Sequence, residues 1–401
     1  MRIVVFSPDL PFPPNRGGKA DIWRRILAFK SLGHQVMLVN MVEIAGQEAP
    51  TASDIEHTRC TVDSHFQFPI KRSLILTIRQ LFGSLKTPWH AATRVPNSDE
   101  MRELTKQIEH FKPDFLWMDG PWFGVVSNIY SKKLKIPILY RSHNIEHRYL
   151  LGQAKIAVKL RDRLAWTLVC LGLKGFESKN IRSAIAAFDI SVDDLTYWKS
   201  VGVRHIHWLP PLPELAFRKN AETPTQTEIV FLGNLGTPNN VRGVEWLITE
   251  VLPRVRARVP TARLHIVGSN PTPFVRELLT RVQDVELCAN VPDPSLYLFG
   301  AKVLVNPVMS GSGVQVKMLD MLMTDAPIVT ASQGTRGLPH EFRTLFRIAD
   351  DSDSFANAIC EELESPTVNL TARAAAREVF SIGAVGRALE TVQKESQSNR
   401  G

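Results

Sequence analysis

The stretch NPVMSGSGVQVKMLDMLMTDAPIVTASQGTRGL, residues 306–338, decides how the rest of the chain is read. It opens on the end of an apolar run, VLVNP (303–307), and passes through a Ser/Gly loop from Ser310 to Gly313. A helical pattern is predicted over about 314–323, and a second short apolar run, PIVTA (327–331), follows. Short β-branched runs joined through helices are how the strands of a parallel sheet, covered on both faces, read in sequence. The loop glycines let backbone N–H groups and a helix N-terminus approach an anion. Lys317 and Asp320, three residues apart, fall on one face of the predicted helix. Loop amides and an ammonium suit a diphosphate, and a carboxylate suits a pair of ribose hydroxyls.

Toward the N-terminus the alternation repeats: IVFLGN (229–234), a helix over about 240–258, LHIVG (264–268), a helix near 272–282, and VELCA (285–289). The first of these strands runs into FLGNLGTPNNVRG (231–243), which holds Gly233 and Asn234 and carries Arg242 at the start of the helix, where a guanidinium can grip a diphosphate with two parallel hydrogen bonds. A Pro-rich segment (209–214) and a polar one (220–227) precede this series and read as a linker. Before the linker an earlier series runs through IVVF (3–6), a helix over about 19–32, QVMLVN (35–40), FLWM (115–118), ILY (138–140) and the strand at 185–188. Its first loop, SPDLPFPPNRGGKAD, sets Gly17 and Gly18 before a helix but lacks the GxGxxG spacing of a dinucleotide oxidoreductase. RSHNIEHRY (141–149) follows a strand directly, so His143 points to the carboxyl end of a parallel sheet, where such folds bind ligands, with Glu146 and Arg148 as its expected orienting partners. The expected organisation is a Rossmann-like domain over 1–212, a linker over 213–227, a second Rossmann-like domain over 228–383, and a final helix and polar tail over 384–401 that return toward the first domain.

Length and composition agree with two soluble domains. The chain has 401 residues, 44% hydrophobic and 22% charged, and no apolar run long enough to span a bilayer. Its first apolar run, Ile3 to Phe6, is too short for a secretory signal, so a cytoplasmic protein is expected. Cys60, Cys170, Cys288 and Cys360 show no ligand spacing and are expected to be buried apolar residues, with no metal site. The net charge of +8 divides unevenly: residues 1–210 hold 29 Lys and Arg against 19 Asp and Glu, leaving 19 against 21 for the rest. A basic N-terminal half implies an anionic partner. The stretches 71–86 and 155–174 add apolar residues at helical spacing between basic ones, the pattern of a helix lying on an anionic membrane surface. Nucleic acid is not an expected partner, because no recognition module is present.

In chain order, the GG loop, HNIE (143–146), FLGNL (231–235), the IVG strand, VPD (291–293), PxxxGSGxxxKxLDML (307–322) and PIVTAxxGxxGL (327–338) resemble glycosyltransferases of family 4. The resemblance covers nearly the whole chain and is strongest over 229–338. It implies an α/β GT-B fold, two Rossmann-like domains facing a central cleft. It further implies a retaining, metal-independent transfer, of hexosyltransferase type, from a UDP- or GDP-linked sugar, with no other cofactor. The acceptor it implies is a glycan or lipid-linked hydroxyl in bacterial surface polysaccharide synthesis, which the basic amphipathic stretches would bring to the inner face of the plasma membrane. Carried over by position, His143, Arg242 and Lys317 become catalytic. Gly17, Gly18, Gly233, Asn234, Ser312, Gly313 and Asp320 become donor-binding, and Asn144 and Glu146 acceptor-binding. The family's paired glutamates correspond to Ser312 and Asp320, and Asn234 stands where an arginine is common. Two other readings therefore stay open at this level, an inactive GT-B sugar-binding protein and a nucleotide-sugar epimerase.

Overall fold

Strand β1 (Arg2–Ser7) buries five successive residues, and β4 (Phe115–Asp119) and β5 (Ile138–Ser142) bury all of theirs, as strands covered on both faces must. The computed structural model describes residues 1–15, 17–42, 49–70, 87–157, 159–214, 228–311 and 313–398. The stretch 71–86, most of the expected linker and Ser312 lie outside them. Two units are present. Met1–Pro211 together with Ile382–Gly401 form the first, and Leu212–Ser381 the second.

The first unit is a parallel sheet of order β3-β2-β1-β4-β5-β6-β7, which adds β2 (Gln35–Val42), β3 (Ser64–Pro69), β6 (Ala186–Asp189) and β7 (Ile206–Trp208) to the strands above. The second is also parallel, of order β10-β9-β8-β11-β12-β13: β8 (Glu228–Leu232), β9 (Arg263–Gly268), β10 (Val285–Ala289), β11 (Val303–Asn306), β12 (Ile328–Thr330) and β13 (Arg347–Ile348). Each has its own core: Phe6, Met37, Met118, Tyr140 and Trp198 belong to one, Phe231, Leu264, Val303 and Phe355 to the other. In both sheets the strand order reverses beside the first strand, between β1 and β4 and between β8 and β11. Open α/β sheets bind ligands at the carboxyl ends beside that reversal.

Most expected elements are present, and the differences have local causes. The helix expected over 240–258 is Pro238–Trp246 and Leu252–Arg258 joined by one π turn, Leu247–Val251. The helices Ser98–Phe111 and Ser352–Glu364 and the strands β3, β7 and β13 were not expected. β7 and β13 have only three and two residues, too few to show a period. Asp193 and Asp194 stand in the first turn of the helix Val192–Ser200, capped by Ser191. The last helix, Ile382–Ser398, groups with the first unit, where Gly386 meets Leu32 of the turn that ends the helix Gly17–Ser31. No helix among the described residues is long and apolar enough to cross a membrane.

Candidate functional site

In the second unit, the loops that follow β8 and β11 meet at the strand-order reversal. Arg242 Nη2 donates to Asn239 Oδ1 and lies 3.4 Å from Ser310 Oγ, and Ser310 donates to Asn239 Oδ1 at 3.1 Å. Gln333 Nε2 donates to the Gly311 carbonyl at 3.1 Å, and Gln315 Nε2 to the Gln333 carbonyl at 3.3 Å, fixing the Ser/Gly loop from its other side. Gly311 (φ +144°) and Gly313 (φ +71°) take backbone conformations that side-chain-bearing residues rarely adopt, so glycine is the residue this turn requires.

Lys317 lies in the helix Val316–Leu322, with its Nζ 4.6 Å from the Phe231 ring centroid and donating to Asn240 Oδ1 at 3.0 Å. Asn240 in turn donates to the Asn234 carbonyl at 2.9 Å, tying the lysine to the loop after β8. Burial of the ammonium brings the Lys317 pKa down to about 7. An anion beside Nζ would favour its charged form.

Asp320, on the same helix, is buried and accepts the Glu214 N–H at Oδ1 over 2.6 Å. It lines a pocket of about 220 Å³ with Gly233, Asn234, Ser269, Asn290 and Leu298, at the carboxyl ends of β8, β9 and β10. Gly268 makes that pocket's geometry achievable: a Cβ there would lie 2.1 Å from the Gly233 carbonyl oxygen. Gly268→Ala is therefore expected to cost about 1–3 kcal/mol of stability, a loss that urea unfolding of the variant checks.

In the first unit the carboxyl ends of β1, β4 and β5 carry a buried ionic cluster that sequence reading missed. Asp21 accepts two hydrogen bonds from Arg141, each 3.0 Å, and one from Arg25 at 2.9 Å, with all three side chains at most 2% exposed. Both arginines also donate to main-chain carbonyls, Arg25 to Pro210 and Arg141 to Leu209. Burial works against the Asp21 charge, yet Arg141, Arg25 and His143 together hold its pKa well below the usual carboxylate range. His143 is set by this cluster. Its Nε2 is 3.0 Å from Asp119 Oδ1 and its Nδ1 3.6 Å from Asp21 Oδ2. The expectation that Glu146 and Arg148 orient His143 is thus corrected. Arg148 stacks on Tyr197, 3.7 Å from the ring centroid, and Glu146 turns to another group.

That group is centred on Glu177, which accepts the Glu146 N–H at 2.8 Å, the His147 N–H at 3.2 Å and His147 Nδ1 at 2.6 Å, closing the start of the helix Glu146–Ile156. Burial first, and the charge of Glu177 second, raise the Glu146 carboxyl to a pKa of about 8, against a hydrogen bond from Asn144 that favours its charged form. At neutral pH it is mainly the protonated acid, able to donate as well as accept. Gly17 and Gly18 open the helix Gly17–Ser31, and a Cβ at either would meet nothing within 4 Å. Of the positions singled out from the sequence, Gly233, Asn234, Arg242, Gly313, Lys317 and Asp320 lie on the loops and helices at the reversal in the second unit, and His143, Asn144 and Glu146 follow β5 in the first.

Residues 226–365 match the family model for glycosyl transferases group 1. The second unit is a group 1 glycosyltransferase domain. A 44.6 kDa protein of the Klebsiella pneumoniae cps region is 24% identical over 369 residues, 89% of this chain and 90% of that one. Among solved structures, Anabaena HepE in complex with UDP superposes with a TM-score of 0.64 at 12% identity, covering 98% of this chain and all of that one. Sucrose-phosphate synthase from Thermosynechococcus elongatus superposes with a TM-score of 0.63 at 13% identity over the full length of both. The chain accordingly has the GT-B fold. Within the group 1 domain, the paired loops, Lys317 and the Asp320 pocket share the strand-order reversal. The group 1 match does not reach the first unit, so the Asp21 and Glu177 clusters rest on the structure alone.

Proposed function

We propose that the chain transfers a sugar from a UDP- or GDP-linked donor to a glycan or lipid-linked hydroxyl in the synthesis of a bacterial surface polysaccharide. The observation that carries this reading is the pocket walled by Asp320, set beside a desolvated lysine and glycine-rich loops at the strand-order reversal of a group 1 domain. In it, Asp320 accepts from the ribose hydroxyls, while Lys317, Arg242 and the loop amides around Gly233 and Gly313 take up the charge that grows on the departing diphosphate. The acceptor hydroxyl attacks C1 from the face the diphosphate leaves and gives its proton to that leaving group, so the anomeric configuration is retained. His143 is assigned a hydroxyl of the donor sugar, Gly17 and Gly18 its phosphate side, and Asn144 and Glu146 the acceptor. The cps-region relative supports the polysaccharide setting, and the HepE complexes with UDP and with UDP-glucose favour uridine donors.

Thermal unfolding with UDP-, GDP-, ADP- and dTDP-sugars tests the donor, since a ligand bound only by the folded state raises the midpoint, with about 2.7 kcal/mol expected at 100 times Kd. Transfer activity with the responding donor is expected to survive EDTA. Activity lost to EDTA and restored by magnesium or manganese overturns the metal-independent mechanism. An isomerised donor formed without acceptor points instead to an epimerase.

The membrane setting has its own support. Helix Leu160–Val169 has no buried residue, and Leu160, Leu164 and Leu168 are 71%, 56% and 52% exposed along one face. Exposed Lys155, Lys159, Arg161, Arg163 and Lys174 surround it. Apolar side chains entering the headgroup layer, with roughly 1 kcal/mol from each nearby basic residue, would hold the chain on an anionic inner leaflet. Sedimentation with anionic vesicles at low salt is expected to carry the protein down, and Leu164→Glu with Leu168→Glu to release it. Wild-type protein left in the supernatant would make a soluble acceptor the better choice.

A further inference from the structure

Away from the polar loops, one face of the second sheet gathers three kinds of metal-ligating atom. β9 and β10 pair His265 with Glu286, and Cys288 follows Glu286 by two residues, so all three project from the same face. His265 Nδ1 is 3.5 Å from Glu286 Oε2 and 4.0 Å from Cys288 Sγ, and the three ligand atoms lie within 4.8 Å of one another. Tetrahedral bonds of 2.0–2.3 Å to one ion put donor atoms roughly 3.3–3.7 Å apart, so a shift of about 1 Å or less closes the set. On the neighbouring strand, Glu228 Oε1 is 3.7 Å from the other ring nitrogen, His265 Nε2. A carboxylate behind the imidazole is the partner that orients a metal-bound histidine.

We propose that His265, Glu286 and Cys288 form a zinc site in the group 1 domain, with water as the fourth ligand. One imidazole, one carboxylate and one thiolate suit a borderline-soft ion held by few ligands. Calcium and magnesium, which take six or more oxygens, do not fit. On binding, the Cys288 S–H bond breaks as the S–Zn bond forms, and the proton leaves to solvent. Nδ1 of the neutral imidazole takes the metal and Nε2–H turns to Glu228. The ion would fasten β10, an edge strand, to β9 through side chains. Two residues further along these strands, Val267 and Asn290 line the nucleotide pocket, so the same clamp would steady its wall. None of its ligands takes part in the proposed transfer, and its test needs no activity.

Full-length protein stripped of metal and titrated with cobalt(II) is expected to bind one equivalent, with a thiolate-to-cobalt absorption in the near-ultraviolet that zinc displaces. Cys288→Ser removes that absorption, while Cys360→Ser, which changes a buried cysteine outside the cluster, keeps it. Glu228→Gln weakens binding about 10- to 100-fold without abolishing it. No thiolate absorption, or one that persists in Cys288→Ser, overturns the proposal. Wild-type protein supplies a measurement that does not depend on variants folding: native mass spectrometry of the stripped protein must show one zinc taken up per chain. No uptake also overturns it.

Discussion

Lys317→Ala is expected to lower turnover with a nucleotide sugar about tenfold or more, because in the proposed mechanism it removes a charge-assisted contact worth roughly 1.5–3 kcal/mol to the departing diphosphate. Stability should barely move, since burial already penalises the charged lysine and its hydrogen bond to Asn240 is the only one it gives up among those described. The pH dependence is the sharper signature. In the donor-free protein the ammonium deprotonates near pH 7, so kcat/KM should fall as pH rises through that value. A bound diphosphate favours the ammonium, so the fall in kcat should lie at higher pH. Lys317→Arg, whose side chain stays charged, should lose the break near pH 7. Unfolding adds a check of sign. With the folded pKa near 7 and the ordinary value at 10.5, the unfolded chain holds more protons between them, so this group makes stability rise with pH across that window. A wild-type pH profile in the alanine variant would put the diphosphate somewhere else.

The largest loss of stability is expected at Asp21. Asp21→Ala leaves Arg25 and Arg141 buried without their shared counter-charge, and breaking a buried pair in this way costs about 3–5 kcal/mol. Replacing only one arginine should be milder, because Asp21 keeps the other. Both the pairing and the sign are testable by acid. The folded pKa of Asp21 lies below its ordinary value of 3.8, so its contribution is complete above that value and is lost as pH falls beneath it. Urea midpoints of the wild type should therefore drop on acidification, and those of Asp21→Ala should drop less. Because His143 stands 3.6 Å from Asp21, the variant should also lose transfer activity beyond what unfolding explains. Unchanged midpoints would mean that the arginines find other partners.

Cysteine and histidine show the limits of spacing. The spacing of the four cysteines predicts buried apolar residues with no metal site. Cys288 and Cys360 are buried, but Cys170 is half-buried and Cys60 exposed. Neither Cys288 nor His265 stood out, since ligands on neighbouring strands lie 23 residues apart and leave no short motif.

The sequence by itself determined the two alternating β/α series and the glycine loops, because a strand buried on both faces must be apolar throughout and a turn at positive φ calls for glycine. It also singled out Lys317, Asp320 and Arg242, whose places follow from the strand–loop–helix grammar around them. Tertiary structure alone decided which partners those residues meet. Asn240 under Lys317, Glu214 on Asp320, and Asp21 between Arg25 and Arg141 come from segments up to 120 residues apart, joined by a strand order that no local pattern encodes. The same holds for the pKa of Lys317 and Glu146, which depend on burial and nearby charge and so exist only once the chain has packed.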